Sequence, residues 1–358
     1  MTYKKMLLFV AVAPGFALAQ SSNVEVYGIL DAGFSHISNV KGVSLNAVDS
    51  GIWQAGRLGF RGKEDLGGGI SALFVLEMGV GADTGSGGTA SALFNRQSYV
   101  GLATPYGAIS VGRQYDFLYV NSLPLGAELF AGPIVAGTTG GPGGTAGTIG
   151  PIDVHFGGYR YDNTIKWVDR IGPVTIGYMR GLGKEGAVVG STGKVDSALI
   201  AYKDGPLSVG LGWTRDDFDA ANSGNLANRV LAVKVNYKIG KFTVLGNYAS
   251  AGSRNSRATN KPLEAGLAYQ VAPQINIGVT LAQAKVHNAK GAETTLQQVL
   301  LGANYALSKR TSLYTIAARN HSTDIAVYQG FVGAPGGATS PSSTATQIAI
   351  RAGIFHAF

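Results

Sequence analysis

The alternation of apolar and polar side chains is the feature that most constrains what this chain can fold into. Residues 228–238 read NRVLAVKVNYK, in which leucine, two valines and a tyrosine take every second position, and alanine, lysine and asparagine fall between them. After Ile239-Gly240 a similar alternation resumes over residues 241–251. Because successive side chains of a β-strand point to opposite faces, each segment predicts a strand with two unlike faces. Two such strands separated by two residues predict a β-hairpin.

Sixteen segments share this alternation, in a chain with 53 glycines among 358 residues. They span 23–38, 52–65, 70–80, 92–104, 108–115, 159–170, 173–182, 193–203, 206–215, 228–238, 241–251, 261–271, 274–286, 293–307, 310–320 and 345–358. The face opposite the aliphatic one is mainly glycine, serine, threonine, asparagine and charged residues. These residues would form a poor core in a soluble β-sandwich, whereas they suit a water-filled interior. The pattern therefore predicts an all-β fold, a 16-stranded antiparallel transmembrane β-barrel.

The connections between the predicted strands alternate between short and long. The short ones are 66–69, 105–107, 171–172, 204–205, 239–240, 272–273 and 308–309. The long ones lie near 39–51, 81–91, 116–158, 183–192, 216–227, 252–260, 287–292 and 321–344. Outer-membrane barrels have short periplasmic turns and longer external loops. An even strand number places both chain ends on the periplasmic side, where we expect Phe358 to close the barrel beside the first strand.

The N-terminus carries the pattern of an export signal. Lys4 and Lys5 precede an apolar run, and Ala17-Leu18-Ala19 matches the small-x-small pattern of a cleavage site. We interpret residues 1–19 as a signal peptide and residues 20–358 as the barrel domain. The predicted location is the outer membrane of a Gram-negative bacterium, in contact with its lipid.

Composition and motifs exclude several functional classes. The absence of cysteine excludes disulfides, thiolate metal sites and a cysteine nucleophile. With 29 basic and 21 acidic residues the chain is only mildly basic, so we expect no nucleic-acid partner. Residues 181–186 match GxGxxG, but no helical segment follows that could hold a pyrophosphate. The five histidines lack short-range ligand spacing and no GxSxG occurs. We expect no enzymatic activity, no cofactor and no metal site.

The connection at 116–158 is unusually long and lacks clear periodicity, and such loops are usually functional or disordered. Its first half, DFLYVNSLPLGAELFAGPIV, is too apolar for a solvated external loop. We therefore expect it to fold into the lumen as a constriction loop, with Glu128 and Asp116 as candidate acids. The alternative is an irregular surface loop.

Several cations fall on or beside the predicted lumen face near this loop. Arg57 and Arg61 alternate with apolar residues of the second predicted strand, and Arg160 and Lys166 share one face of the sixth. Arg96 lies in the fourth predicted strand, and Arg113 lies near the end of the fifth. Clustered on one wall, they would favour anions. Taken singly, each could equally be a solvated residue or the partner of a carboxylate.

The sequence resembles the trimeric general diffusion porins of Gram-negative bacteria, over essentially the whole chain after the signal. The motifs that carry the resemblance are VEVYGILDAG, GRLGFRGKEDLGGG, FNRQSYVGL, GAISVGRQYD, YRYDNTIKW, YALSKRTSLY and GIFHAF. The resemblance implies an inward third loop, a homotrimer, and a basic pore wall at Arg57, Arg96 and Arg160. Phe355 stands where family members often have a basic residue, and LPLGAELFAG lacks the acidic motif of enterobacterial relatives.

The combined prediction is a water-filled channel for passive diffusion of small hydrophilic solutes and ions, with a weak anion preference. Two alternatives stay open at this point. One is a substrate-specific channel, which would show saturable, ligand-blockable conductance. The other is a non-conducting barrel that serves as an adhesin or structural protein.

Overall fold

The computed structural model describes residues 23–51, 53–88, 92–118, 160–183, 194–217, 228–253, 257, 259–287, 291–323, 331–332, 339–340 and 342–358. The predicted signal peptide at 1–19 lies outside these residues and stays a prediction. No helix in the described part is long and apolar enough to cross a membrane.

Long antiparallel strands make up nearly all of the described chain. They are β1 (Asn23–Val40), β2 (Val43–Ser50), β3 (Arg57–Gly67), β4 (Ile70–Gly79), β5 (Gln97–Thr104), β6 (Gly107–Tyr115), β7 (Arg160–Ile171), β8 (Val174–Leu182), β9 (Lys194–Asp204), β10 (Leu207–Asp217), β11 (Asn228–Ile239), β12 (Phe242–Ser253), β13 (Thr259–Ala272), β14 (Ile275–His287), β15 (Glu293–Ala306), β16 (Thr311–Ser322), β17 (Phe331–Val332), β18 (Thr339–Ser340) and β19 (Thr346–Ala357). Of these, β17 and β18 pair only with each other.

The sheet closes on itself, because β1 pairs with β19 on one side and with β2 and β3 on the other. β3 pairs with the first part of β1 and β2 with the second, so these two strands share one position around the barrel. The barrel therefore has sixteen strand positions, as predicted. At the seam, Gly28 and Phe358 exchange backbone hydrogen bonds of 3.0 and 3.1 Å.

One predicted connection is wrong. The long connection expected near 39–51 is instead a two-residue turn at Lys41-Gly42 followed by β2. Both turn residues have a positive φ, 54° and 100°, which lets the chain reverse sharply. In the sequence of β2, VSLNAVDS, the alternation lasts only five residues before the apolar residues change parity at Val48, so alternation does not reveal this strand. Consequently, the second barrel position begins with β2 and continues with β3 after a break at residues 51–56.

The two faces of the barrel differ as the alternation predicted. Large apolar side chains such as Val100, Leu231 and Leu281 are exposed on the outer face. The inner face instead buries polar side chains, among them Glu77 and Lys234. An apolar exterior around a polar interior is the distribution that a β-barrel needs in lipid.

A buried ionic network holds the break at residues 51–56 against the inner wall. Asp31 Oδ2 accepts hydrogen bonds from the backbone N–H groups of Trp53 (2.6 Å) and Gln54 (2.8 Å). Arg351 forms ion pairs with Asp31 and Asp49 across the seam between β19, β1 and β2. The network therefore ties three barrel strands to the chain that joins β2 to β3.

The ring of Trp53 also packs on this wall. Its centroid lies 4.9 Å from the ring of Tyr314 and 5.2 Å from that of Phe355. Tyr314 donates a 2.5 Å hydrogen bond to Asp31, so the aromatic and ionic contacts form one unit.

Candidate functional site

The first residues of the long connection after β6 run along the inner wall. Phe117 is fully buried beside Met179 and Val195, which lie on the inward faces of β8 and β9. Leu118 packs in a cluster with Val230 of β11. The chain therefore crosses the inner face of several strands as it leaves β6. Residues 119–159, including Glu128, lie outside the described residues.

Asp116 is fixed in a buried network and does not face an open lumen. Its Oδ2 accepts a 2.9 Å hydrogen bond from Thr214, whose hydroxyl also contacts that of Ser197 at 2.8 Å. Ser197 in turn accepts a 3.0 Å hydrogen bond from the backbone N–H of Phe117. With 1% exposure, Asp116 positions the start of the connection on β9 and β10.

Arg57 and Arg61 of β3 lie on the inward face, opposite Ile29 and Glu25 of β1. Arg61 forms a bidentate ion pair with Glu25 at 2.8 and 2.9 Å, and about half of each side chain is exposed. Arg57 donates a 3.1 Å hydrogen bond to the backbone oxygen of Ala55. Among the described residues, Arg57 has no carboxylate within ion-pair distance. Arg61 is therefore largely neutralised, whereas Arg57 contributes a full positive charge.

Arg96 also forms an ion pair, and this pair is more deeply buried than that of Arg61 and Glu25. Its Nε lies 2.7 Å from Glu77 Oε1, with side-chain exposures of only 7% and 3%. The other oxygen of Glu77 accepts a 2.9 Å hydrogen bond from the hydroxyl of Tyr27. Glu77 therefore compensates the charge of Arg96 within the wall.

Three of the predicted cations contact Tyr115 at the end of β6. The guanidinium carbons of Arg96 and Arg160 lie 5.9 and 5.2 Å from the centroid of its ring. Its backbone oxygen accepts a 2.8 Å hydrogen bond from Lys166 Nζ, which also lies 4.4 Å from the ring centroid of Phe117. Aromatic faces attract cations at such distances. The start of the long connection and the basic wall are thus one assembly.

Arg113 does not belong to this assembly. Cross-strand pairing places it opposite Ser98, on the same face as Val111 and Val100, whose side chains are exposed on the outside of the barrel. Its guanidinium pairs with Asp162 at 2.5 Å. Placing Arg113 on the basic wall was wrong, because its position in the alternation matches that of the outward residues of β6.

Two carboxylates and one aromatic residue in this region were not predicted. Glu77 and Glu25 neutralise two of the arginines, and Tyr115 packs between the wall and the loop. Glu77 interrupts the apolar run LFVLEMG, which is a signal for a buried partner of a cation. No group of three or more His, Asp and Glu side chains among the described residues could hold a metal ion.

A closed antiparallel barrel with sixteen strand positions, apolar outside and polar inside, defines the class of transmembrane β-barrels of the bacterial outer membrane. Comparison with protein families gives the narrower assignment. Residues 7–325 match the profile of the Gram-negative porin family. The chain belongs to this family and is an outer-membrane channel.

Individual porins resemble the chain over nearly its full length. Outer membrane porin protein 32 of Delftia acidovorans is 29% identical, with 99% of this chain and 100% of the relative covered. The solved anion-selective porin from Comamonas acidovorans superposes with a TM-score of 0.75 at 24% identity, covering 94% of this chain and 100% of that one. OmpT of Vibrio cholerae, solved in a trimer form, gives a TM-score of 0.65 at 16% identity, covering 94% and 99%.

Proposed function

We propose that this porin passes small hydrophilic solutes and ions with a weak preference for anions, and that Arg57, Arg160 and Lys166 set this preference. The observation that carries the proposal is the unequal pairing of charges on the wall. Among the described residues, Arg57 contacts a backbone acceptor and no carboxylate, whereas Arg61 and Arg96 each face a carboxylate. A wall that retains a net positive charge attracts anions into a water-filled pore.

The pairing also explains why the preference is weak. Glu25 and Glu77 cancel part of the positive charge, and Asp116 lies near Lys166 at the start of the long connection. One unit charge about 10 Å from an ion in water changes its energy by roughly 0.4 kcal/mol, or about a factor of two in partition. A small net positive charge on the wall therefore predicts a several-fold preference and not strict selectivity.

We further propose that residues 116–158 form a constriction loop and that three barrels assemble into a homotrimer. The contacts of Asp116, Phe117 and Leu118 with the inner wall support the inward course of the loop. The trimer form of the Vibrio OmpT supports the oligomeric state. Glu128 is our candidate for the acidic side of the constriction.

Reversal potentials in planar bilayers under a salt gradient test the selectivity. We expect anion preference in the wild type and a shift toward cations when Arg57, Arg160 and Lys166 are all changed to glutamine. Arg113→Gln is the control, because it removes a positive charge from the outer face and none from the pore wall. Cation preference in the wild type, or a triple variant that behaves like the Arg113→Gln control, would contradict the proposal.

Single-channel recording tests conduction and assembly in the same bilayers. We expect open steps that close in three equal stages, as three independent pores in one trimer would. A barrel that gives no open steps would not be a diffusion pore, and single-stage closure would contradict the trimer.

A further inference from the structure

Among the described residues, a set of five cations lies on the outer face of the barrel, at the end of the strands that carries the long connections. They lie on five different strands, β8, β10, β11, β13 and β14, and we call them the outer cation belt: Arg180, Arg215, Arg229, Lys261 and Lys285. None of them belongs to the pore wall, because each shares its face with exposed apolar side chains.

Cross-strand pairing brings cations of the belt directly opposite one another. Lys261 of β13 pairs with Lys285 of β14. Arg215 of β10 pairs with Arg229 of β11 and, on its other side, with Asp196 of β9. Like charges directly opposite in a sheet destabilise it unless something compensates them.

The carboxylates described on the outer face at this level are already engaged. Asp196 forms a 2.5 Å ion pair with Arg180 and accepts a 2.6 Å hydrogen bond from the hydroxyl of Tyr178. Glu293 lies 3.2 Å from His287. Within the described part of the chain, the exposed side chains of Arg229, Lys261 and Lys285 have no hydrogen-bond or ion-pair partner. Among the described residues these three charges are unbalanced, and anions from outside the protein would balance them.

The belt lies at the upper edge of the apolar exterior. Two residues below Arg229 and Lys261, on the same face, Leu231 and Leu263 are 44% and 60% exposed. On β14, Leu281 lies on the same face four residues from Lys285 and is 54% exposed. Further apolar side chains continue to Tyr237 and other aromatics at the short-turn end, so the cations mark where the hydrocarbon contact stops.

We infer that the outer cation belt binds the phosphate groups of anionic lipids in the outer leaflet of the outer membrane. The long connections of such barrels face the cell exterior, so the belt lies at the depth of the outer-leaflet headgroups. A phosphorylated lipid fits both parts of this surface, with acyl chains along Leu231 and Leu263 and phosphates at Lys261, Lys285 and Arg229. Inorganic phosphate fits only the cations. The inference does not depend on whether or how the pore conducts.

Native mass spectrometry of the full chain in detergent tests the inference with bisphosphorylated lipid A as the probe. The variant is the triple change Arg229→Gln, Lys261→Gln and Lys285→Gln. Each cation near an anionic lipid surface is worth about 1 kcal/mol, so we expect the triple variant to bind roughly a hundredfold more weakly. The triple variant and the wild type should bind lipid A that lacks both phosphates equally well.

The matched control removes the same charge at the opposite end of the barrel, by Lys203→Gln, Lys238→Gln and Lys309→Gln. We expect it to retain lipid A, and the variant Lys261→Arg with Lys285→Arg to retain it as well. Equal retention by the belt variant and the wild type would overturn the inference, as would an equal loss in the control. If millimolar inorganic phosphate fully displaced lipid A, the belt would be a simple anion site and not a lipid site. If the belt variant lost its oligomeric state but kept its lipid, the belt would be a contact between copies.

Discussion

At the scale of single residues, the net charge of the pore wall depends on which arginines have a carboxylate beside them. Alternation alone placed Arg57, Arg61 and Lys166 on the inner face, and the strand pairing agrees. The carboxylate partners could not be predicted in this way, because they depend on the register between neighbouring strands, which alternation within one strand does not give. Glu77 compensates Arg96 only because β4 and the segment before β5 lie side by side.

Glu77→Gln tests the buried pair. The change leaves Arg96 charged at 7% exposure without its partner, and breaking one side of a buried ion pair costs about 3 kcal/mol. We expect a loss of that size in the free energy of unfolding in urea. The double variant Glu77→Gln with Arg96→Met should recover much of it, whereas a single variant as stable as the wild type would show that the pair is not a structural element.

Arg57→Gln tests the unequal contribution of the arginines to selectivity. Because Arg57 lacks a carboxylate partner among the described residues, its loss should lower the anion-to-cation permeability ratio by about a factor of four, which is a factor of about two for each sign of ion. Arg61→Gln leaves Glu25 uncompensated at an exposed position, so it should lower the ratio as well, although counter-ions will screen part of the change. Glu25→Gln should raise the ratio, and this opposite sign separates the charge effect from a change in pore size.

At the scale of secondary-structure elements, alternation predicted every barrel position but missed β2. The strand pairs with the second half of β1, and its apolar residues change parity at Val48, which interrupts the alternation. What specifies it is the Lys41-Gly42 turn and the ionic network that fixes the chain after it. That network joins the consecutive strands β1 and β2 to β19, which lies at the other end of the sequence, so local periodicity cannot reveal it.

Asp31→Asn tests whether this network holds the break between β2 and β3. The amide keeps an acceptor for the backbone of Trp53 but removes one negative charge beside the fully buried Arg351. We expect a loss of about 3 kcal/mol in the free energy of unfolding and faster cleavage by trypsin after Arg57. Asp204→Asn, at an exposed short turn, is the matched control and should change neither measurement. Unchanged trypsin resistance in Asp31→Asn would show that packing of Trp53 alone fixes the break.

At the scale of the whole molecule, the barrel depends on the closure of β1 on β19. The terminal aromatic residue predicted this seam, and the structure shows why a glycine, Gly28, lies beside it. A Cβ atom at Gly28 would lie 2.3 Å from Cζ of Phe358 and 2.7 Å from the backbone oxygen of Arg57. Both distances are too short for a stable contact, so Gly28 lets the last residue dock while β1 stays paired with β3.

Gly28→Ala should therefore weaken closure even though it adds a single methyl group. Overpacking of this kind costs typically 1–3 kcal/mol, and we expect a loss of about 2 kcal/mol, measured as a lower urea midpoint of the folded barrel on gels. Gly246→Ala on β12 is the matched control, because a Cβ there has no atom within 4 Å. Adding Phe358→Ala to Gly28→Ala removes the clash with the ring but leaves the clash with the backbone oxygen of Arg57. The double variant should therefore lose no stability through the ring clash. If Gly28→Ala and Gly246→Ala unfolded at the same urea concentration, the seam would tolerate the methyl group, and Phe358 would have to close the barrel through its backbone hydrogen bonds alone.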